Sequence, residues 1–346
     1  MHLHIIKIMG VKIGINGFGR IGKLVFRHSF SYTDIDVIVV NDLMDIHTLA
    51  YLLKYDTVHG PFRHDINIVN NHKLLIDGHE VFYYSEQCPS NIPWDKHEVN
   101  YVIESSGKFT QKEDLSKHFR TNIKRVILSC PPADKIDKCV VIGVNEKDIN
   151  KTHKIISNTS CTTNCIAPVL MVLDNHFGIN KAFINTVHPY TNNQSIMDAP
   201  HKDLRRARAA AANIIPTTTT AIKAVIEIMP HLAQKFDGIA TRVPLTDGAL
   251  IELTALLNKN TTKEGINNIM KEAACSYLKG IMEYTSDPIV SSDIINNPHS
   301  VIFDALSTKV LGDDMIQLIV WYDNEFAYSK RLVELILLLG KQDNII

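Results

Sequence analysis

The sequence lacks what would send it to a membrane, a nucleic acid or an oxidising compartment. No apolar run approaches the about 18 residues that a transmembrane helix needs, so no membrane span is expected. Neither sign of charge is in excess. The 36 basic residues meet 37 acidic ones for a formal charge of −1, which gives no bulk attraction to nucleic acid or to an anionic surface. Cysteine is sparse and scattered, at positions 88, 130, 139, 161, 165 and 275, so no disulfide framework is expected. No CxxC or HxxxH spacing accompanies the pair at 161 and 165, so no metal site is expected either. Internal repeats and low-complexity linkers are missing, the threonine run 217–220 being too short to count. Residues 1–8 offer too short an apolar core and no small-residue cleavage site for a signal peptide. A reducing cytoplasm is the expected location, and with Met9 as an alternative start residues 1–8 read as a possible extension.

What is present is an ordinary globular composition, 45% hydrophobic and 21% charged. At 346 residues the chain is longer than one core usually grows, so two domains are expected.

Residues 11–16 alternate weakly and end in glycine, which reads as a first strand. Gly17-Phe18-Gly19-Arg20-Ile21-Gly22 follows at once, then a helix over 23–30, then a β-branched strand over 35–42 with Asp42 at its end. Strand, GxGxxG, helix, strand and an acid about 20 residues on is the order of a dinucleotide-binding unit. Gly17 makes the tight turn in that reading, Gly19 admits a pyrophosphate against the backbone, and Gly22 lets the helix close on the strand. Asp42 takes the ribose hydroxyls, and an acid there disfavours a 2′-phosphate, so NAD is expected over NADP. A strand plus loop over 100–107, apolar strands over 125–129 and 139–143 and a helix over 110–119 extend this into an α/β, Rossmann-type doubly wound parallel sheet. The polar stretch 60–90, with Asp77-Gly78 between short alternating runs, predicts hairpins at the sheet edge.

A second signal lies mid-chain. Residues 154–156 read as a buried strand and 166–173 as an apolar helix. Between them, small hydroxyl and amide residues surround Cys161. Ser and Thr cap helices well, so Cys161 is expected in the first helical turn. Unpaired amides and the helix dipole favour a thiolate there, and beside a base such a thiol can fall to a pKa of roughly 3.5–7.5. A lowered pKa and a nucleophilic role are therefore expected for Cys161, and a structural role for Cys165 one turn later. Further strands are expected over 183–187, 238–243, 250–257 and 316–322, and helices over 221–228, 261–278 and 331–339. His188 stands just past the first of those strands, but among 16 histidines its position alone assigns nothing.

Taken together, residues 14–22, 160–165, 201–208 and 321–325 resemble the phosphorying-type aldehyde dehydrogenases of the glyceraldehyde-3-phosphate dehydrogenase family, and the resemblance runs from about residue 11 to about residue 339. It implies an NAD domain over 1–160, an α+β catalytic domain over 161–325, and a terminal helix in 326–346 that returns to the NAD domain. It implies a homotetramer in which the segment 191–213 reaches a neighbouring cofactor site. The implied reaction is NAD-dependent oxidation of D-glyceraldehyde 3-phosphate, with inorganic phosphate, to 1,3-bisphosphoglycerate, through a thiohemiacetal and a thioester on Cys161. By the same resemblance His188 is the base, and Thr191 and Arg242 take the substrate phosphate. Ser160, Thr162, Arg206 and Thr219 line the site of the attacking phosphate, with Thr220 beside them. Asn16, Gly17, Gly19, Arg20, Ile21 and Asp42 hold the dinucleotide, Gln87 and Ser129 lie beside it, and Asn324 orients the nicotinamide amide.

The chain departs from the family pattern in places. Thr220 stands where glycine is usual, and a β-branched residue is expected to restrict the backbone near an anion. Gln87 replaces a usual basic residue and Ala327 a usual glycine. The nearest rival is erythrose-4-phosphate dehydrogenase, against which residues 191–194 and 217–219 speak. A non-catalytic nucleotide-binding protein is disfavoured by the joint presence of Cys161, His188 and Arg242, and a nucleic-acid module by the near-neutral charge.

Overall fold

The computed structural model describes residues 10–346; the expected extension at residues 1–8 lies outside the described residues. Two compact units form. The first runs to Val140 and adds Lys147–Thr159 and Ser329–Ile346; the second comprises Val141–Glu146 and Ser160–Tyr328.

In the first unit β1 (Val11–Asn16) leads through the glycine turn into α1 (Arg20–Ser29), β2 (Ile35–Asn41) and α2 (Ile46–Lys54). The Asp45 carboxylate starts α2 by accepting the His47 and Thr48 N–H groups at 3.0 Å. Then come β3 (Ile66–Asn70), β4 (Lys73–Ile76), β5 (His79–Tyr84), β6 (Tyr101–Glu104), α3 (Lys112–Ser116), β7 (Arg125–Leu128), β8 (Lys138–Cys139) and β9 (Ile155–Ser157). The sheet order is β3-β4-β5-β2-β1-β6-β7-β9-β8. β5, β2, β1, β6, β7 and β9 are mutually parallel, and β6 and β7 are buried throughout, as a sheet covered on both faces requires. The expected hairpins are β3-β4-β5 at the sheet edge, with Asp77-Gly78 as one turn. The chain passes from β1 outward to β2 and later inward to β6 on its other side, so the carboxyl end of β1 is the switch point of the sheet. The buried Arg125 guanidinium is clasped by both Asp343 oxygens at 2.8 and 2.7 Å, and the Tyr101 hydroxyl donates to the same carboxylate at 2.7 Å.

The second unit holds α4 (Cys161–Phe177), β10 (Ile179–Pro189), β11 (Ile215–Thr217), α5 (Ala221–Ile228), β12 (Phe236–Val243), β13 (Ala249–Leu257), α6 (Lys263–Cys275), β14 (Met282–Thr285), β15 (Val301–Leu311) and β16 (Met315–Tyr322). Its strands lie in the order β11-β12-β10-β13-β16-β15-β14, mostly antiparallel. β13 alternates strictly between buried and half-buried residues, so one sheet face makes the core. α4 supplies Ile166, Val169, Leu170 and Leu173 to that core. α7 (Phe326–Gln342) ends the chain. No described helix is long and apolar enough to cross a membrane.

Several element boundaries differ from the sequence reading. α3 stops at Ser116 because Lys117, His118 and Phe119 close tighter turns onto residues 114–116, and His118 Nε2 meets buried Glu104 at 2.9 Å. The expected strand at 139–143 is only Lys138–Cys139, and residues 141–146 group with the second unit, where Val141 packs into the core. β10 extends to Pro189, so His188 lies within the strand rather than beyond it.

Candidate active site

Two constellations carry the chemistry, one in each unit. In the first, Gly17 has φ +89°, and a Cβ there would fall 2.3 Å from the Ser106 nitrogen. A Cβ on Gly22 would fall 2.2 Å from the Gly17 carbonyl oxygen, so the helix sits hard against the turn. Gly19 instead faces open space and caps α1, whose first turn has neither a side-chain cap nor an acid. An uncapped helix start of this kind fits a pyrophosphate. Arg20 turns its guanidinium to Asp56 at 2.5 Å and Ile21 follows in the first turn. Asp56 is held down to a pKa of about 2; burial raises it, and the amides of His59 and Val58 with Arg20 outweigh that. Asp42, just past β2, accepts the Phe18 N–H at 2.5 Å and the Met44 N–H at 3.0 Å, which fixes it beside the turn with acceptor capacity to spare for hydroxyls.

Asn16 is spent internally. Its Nδ2 donates to Glu104 at 2.5 Å, its Oδ1 accepts from Asn41 at 2.8 Å, and its carbonyl accepts the Ser105 N–H at 2.8 Å. Glu104 also receives the Ser106 N–H at 2.8 Å, and the Ser105 hydroxyl donates to Gly17 O at 2.6 Å. This buried carboxylate therefore braces the glycine turn. It was missed in the sequence, where an acid at a strand end carries no sign of what it will hold. Gln87 is exposed in the segment after β5, and Ser129 follows β7, its N–H bonded to Glu104 O at 2.9 Å.

The second constellation is built on α4. Thr159, at φ +59°, is followed by Ser160, whose hydroxyl accepts the Thr163 N–H at 3.1 Å and caps the helix. Cys161 is thus its first residue, with Sγ 3.5 Å from His188 Nε2. Its thiol pKa is nevertheless pushed up, to about 11, because burial outweighs the help of Arg242 and of the Thr162 bonds. The expected depression is corrected: a helix start lowers a thiol only where the thiolate stays hydrated or paired. His188 is buried and held down to about 3 by burial and by the Arg242 charge. Cys165 is fully buried, and burial raises its thiol far above the usual range.

Arg242, near the end of β12, brings Nη1 to 2.6 Å from His188 Nδ1 and 2.8 Å from Pro189 O. Tyr322 is a second residue missed by sequence reasoning. Its buried hydroxyl bonds Thr162 and Thr186 at 2.9 Å each, and its ring stands edge-on to His188 at 6.1 Å. Arg206 donates to Thr217 Oγ1 at 2.8 Å and Thr218 O at 2.9 Å, which ties the loop before β11 to the strand. Thr219 Oγ1 accepts the Ala221 N–H at 3.2 Å, and Thr191 follows β10 in a turn closed by Gln194 N–H at 2.8 Å. Thr220 is exposed at φ −78°, a conformation open to any residue, so the backbone there does not call for glycine. Asn324, past β16, is buried, and its Oδ1 has no hydrogen-bond partner among the described residues. An orphaned buried amide oxygen of this kind fits an amide-bearing ligand.

Comparison with known proteins finds matches along most of the chain. The family model described as glyceraldehyde 3-phosphate dehydrogenase, NAD binding domain matches residues 11–112, and the model of the C-terminal domain of the same enzyme matches residues 160–324. Glyceraldehyde-3-phosphate dehydrogenase of Geobacillus stearothermophilus is 48% identical over 328 residues, 94% of this chain and 97% of that protein. Glyceraldehyde-3-phosphate dehydrogenase 1 of Bacillus subtilis strain 168 is 47% identical over 335 residues, 96% and 99% of the two chains. The Streptomyces coelicolor enzyme is 47% identical over 337 residues, 96% and 100%.

Proposed function

The chain belongs to the glyceraldehyde-3-phosphate dehydrogenase family of NAD-dependent oxidoreductases, and from that premise we propose that it oxidises D-glyceraldehyde 3-phosphate to 1,3-bisphosphoglycerate through a thioester on Cys161. The observation that carries this is the 3.5 Å approach of Cys161 Sγ, at the first position of α4, to His188 Nε2, with Arg242 beside the pair. The sulfur adds to the aldehyde carbon, giving a thiohemiacetal. NAD, when bound, supplies the hydride acceptor. His188 takes the hydroxyl proton as the carbonyl re-forms, so charge does not build on the oxygen. Inorganic phosphate then attacks the thioester and the Cys161 sulfur leaves as thiolate. Arg242 and Thr191 hold the substrate phosphate; Ser160, Thr162, Arg206 and Thr219, with Thr220 at the rim, serve the attacking one. The glycine turn, Asn16, Asp42 and the main chain of Arg20 and Ile21 hold the dinucleotide, flanked by Gln87 and Ser129, and Asn324 takes the nicotinamide amide. The domain reading 1–160, 161–325 and 326–346, a homotetramer and a cytoplasmic location belong to the same proposal.

Formation of reduced cofactor with the triose phosphate and with erythrose 4-phosphate, each with and without inorganic phosphate, tests it. Strong dependence on phosphate with the triose is expected, and a preference for the tetrose would replace the assignment. A sedimentation mass of one or two chains would remove the tetramer.

A further inference from the structure

Four neighbouring parallel strands, β5, β2, β1 and β6, carry polar residues at or just past their carboxyl ends that bond sideways to one another. Glu86 follows β5, Asn41 ends β2, Asn16 ends β1 and Glu104 ends β6. The Glu86 main chain fixes the first step. Its N–H donates to Asn41 Oδ1 at 2.8 Å and its carbonyl accepts from Asn41 Nδ2 at 3.0 Å, so this amide cannot turn round. Asn41 Nδ2 gives its second hydrogen to Asn16 Oδ1 at 2.8 Å, which turns Asn16 Nδ2 to Glu104 Oε2 at 2.5 Å. Trp94 fixes the other side. Its ring lies on β1, where a Cβ on Gly14 would fall 2.3 Å from Trp94 Cζ3, and its indole N–H donates to His118 Nδ1 at 3.2 Å. An indole N–H only donates, so the His118 ring proton is on Nε2, which meets Glu104 Oε2 at 2.9 Å. The Ser106 N–H reaches Oε1 at 2.8 Å. Trp94, His118, Glu104, Asn16 and Asn41 are all buried.

These contacts all reach the Glu104 side chain as donors, and each run is held at its far end by a group that cannot reverse. Only a carboxylate accepts from all of them. An amide in its place sets N–H against N–H on one side or the other, and in a buried site that leaves donors without partners. We propose that this ladder of side chains holds three cofactor-facing segments in register, and that Glu104 and His118 are positioning residues for NAD. This rests on the reading that the glycine turn and Asp42 hold the dinucleotide.

The segments are tied to the ladder one by one. Ser106 abuts the glycine turn, since a Cβ on Gly17 would fall 2.3 Å from its nitrogen. Asn41 leads directly into Asp42, whose carboxylate accepts the Phe18 N–H at 2.5 Å. Glu86 leads directly into Gln87, which is assigned a place beside the dinucleotide. The carboxylate at the centre polarises both runs toward itself, so the loss of one bond weakens the next. Cys161 and His188 belong to the other unit, so the ladder acts on the binding of NAD and not on the chemical step.

The same replacement at two touching residues gives the test, read by calorimetric titration of the full chain with NAD. Glu104→Gln keeps the size and sets N–H against N–H. About tenfold weaker NAD binding is expected, with kcat at saturating NAD within about twofold of wild type. His118→Gln keeps the polarity, because its amide oxygen takes the Trp94 N–H and its amide nitrogen serves Glu104; NAD binding within about threefold of wild type is expected. His118→Leu fills the same buried space with neither bond, and about tenfold weaker binding is expected. A role in packing alone would favour leucine over glutamine at this fully buried position. The ladder is overturned if His118→Leu binds NAD as tightly as His118→Gln, if Glu104→Gln binds it as tightly as wild type, or if kcat falls in step with affinity. The ranking at position 118 decides even where Glu104→Gln folds poorly. Failure of the cofactor-site reading shows separately, as an unchanged NAD affinity in Asp42→Asn.

Discussion

Replacing Cys161 with serine is expected to cut turnover by roughly four orders of magnitude or more, the scale on which loss of a nucleophile acts, while NAD binding stays within about twofold. The two halves of that expectation have separate causes. A serine hydroxyl in the same pocket is a far weaker nucleophile, because the oxygen holds its proton more tightly than sulfur and His188 is itself a weak base here, held down to about 3. The groups proposed for the dinucleotide, the Gly17 turn and Asp42, belong to the other unit, and their own bonds are to Ser105, Phe18 and Met44. The Ser160 cap on Thr163 also survives the change, so α4 should keep its start. Steady-state turnover and calorimetric titration with NAD check the two halves. Turnover retained in the serine variant would remove Cys161 from the mechanism.

The second large effect concerns His188→Asn. A fall in kcat of about 10²–10⁴-fold is expected, the usual worth of a positioned acid–base group, with KM for the triose little changed because Arg242 and Thr191 remain. The same variant should alter acid stability. His188 titrates at about 3 in the fold, against the ordinary value of about 6.5 for an exposed imidazole. Between those values the unfolded chain binds more protons than the folded one. The stabilising contribution is therefore complete above about pH 6.5 and is lost as pH falls toward 3. His188→Asn lacks this liability, so its urea midpoint should fall less than that of the wild type between pH 7 and pH 4. Parallel declines would mean that His188 is not buried as a neutral ring.

Legibility in the sequence followed the range of the interactions. The glycine turn could be read because each requirement is local: Gly17 needs a positive φ and Gly22 close approach, and both are written in one short run. The capped start of α4 was readable for the same reason. What needed the whole fold stayed hidden. The Cys161 thiol pKa was expected low from its helix position and is high because the surrounding core removes water. β15 went unseen because a register shift between Asp304 and Lys309 breaks its alternation, and β14 because its four residues carry little pattern. His188 was placed just beyond its strand, yet it and Pro189 pair in register with Arg242 and Val243 of β12. That pairing is what sets Arg242 beside His188, and it joins positions 54 residues apart.

The clasp of Arg125 by Asp343 has a consequence for the newborn chain. The two lie 218 positions apart, and the guanidinium is buried. A buried guanidinium without its carboxylate is strongly destabilising. Ribosomes add about 5–20 residues per second, so Arg125 waits roughly 10–45 s for its partner. From Ser157 onward the nascent first unit has every strand of its sheet, yet the Arg125 guanidinium still lacks its carboxylate. It depends on translation reaching Asp343, and a chain stalled before that residue presents a sheet with an uncompensated charge to chaperones and proteases.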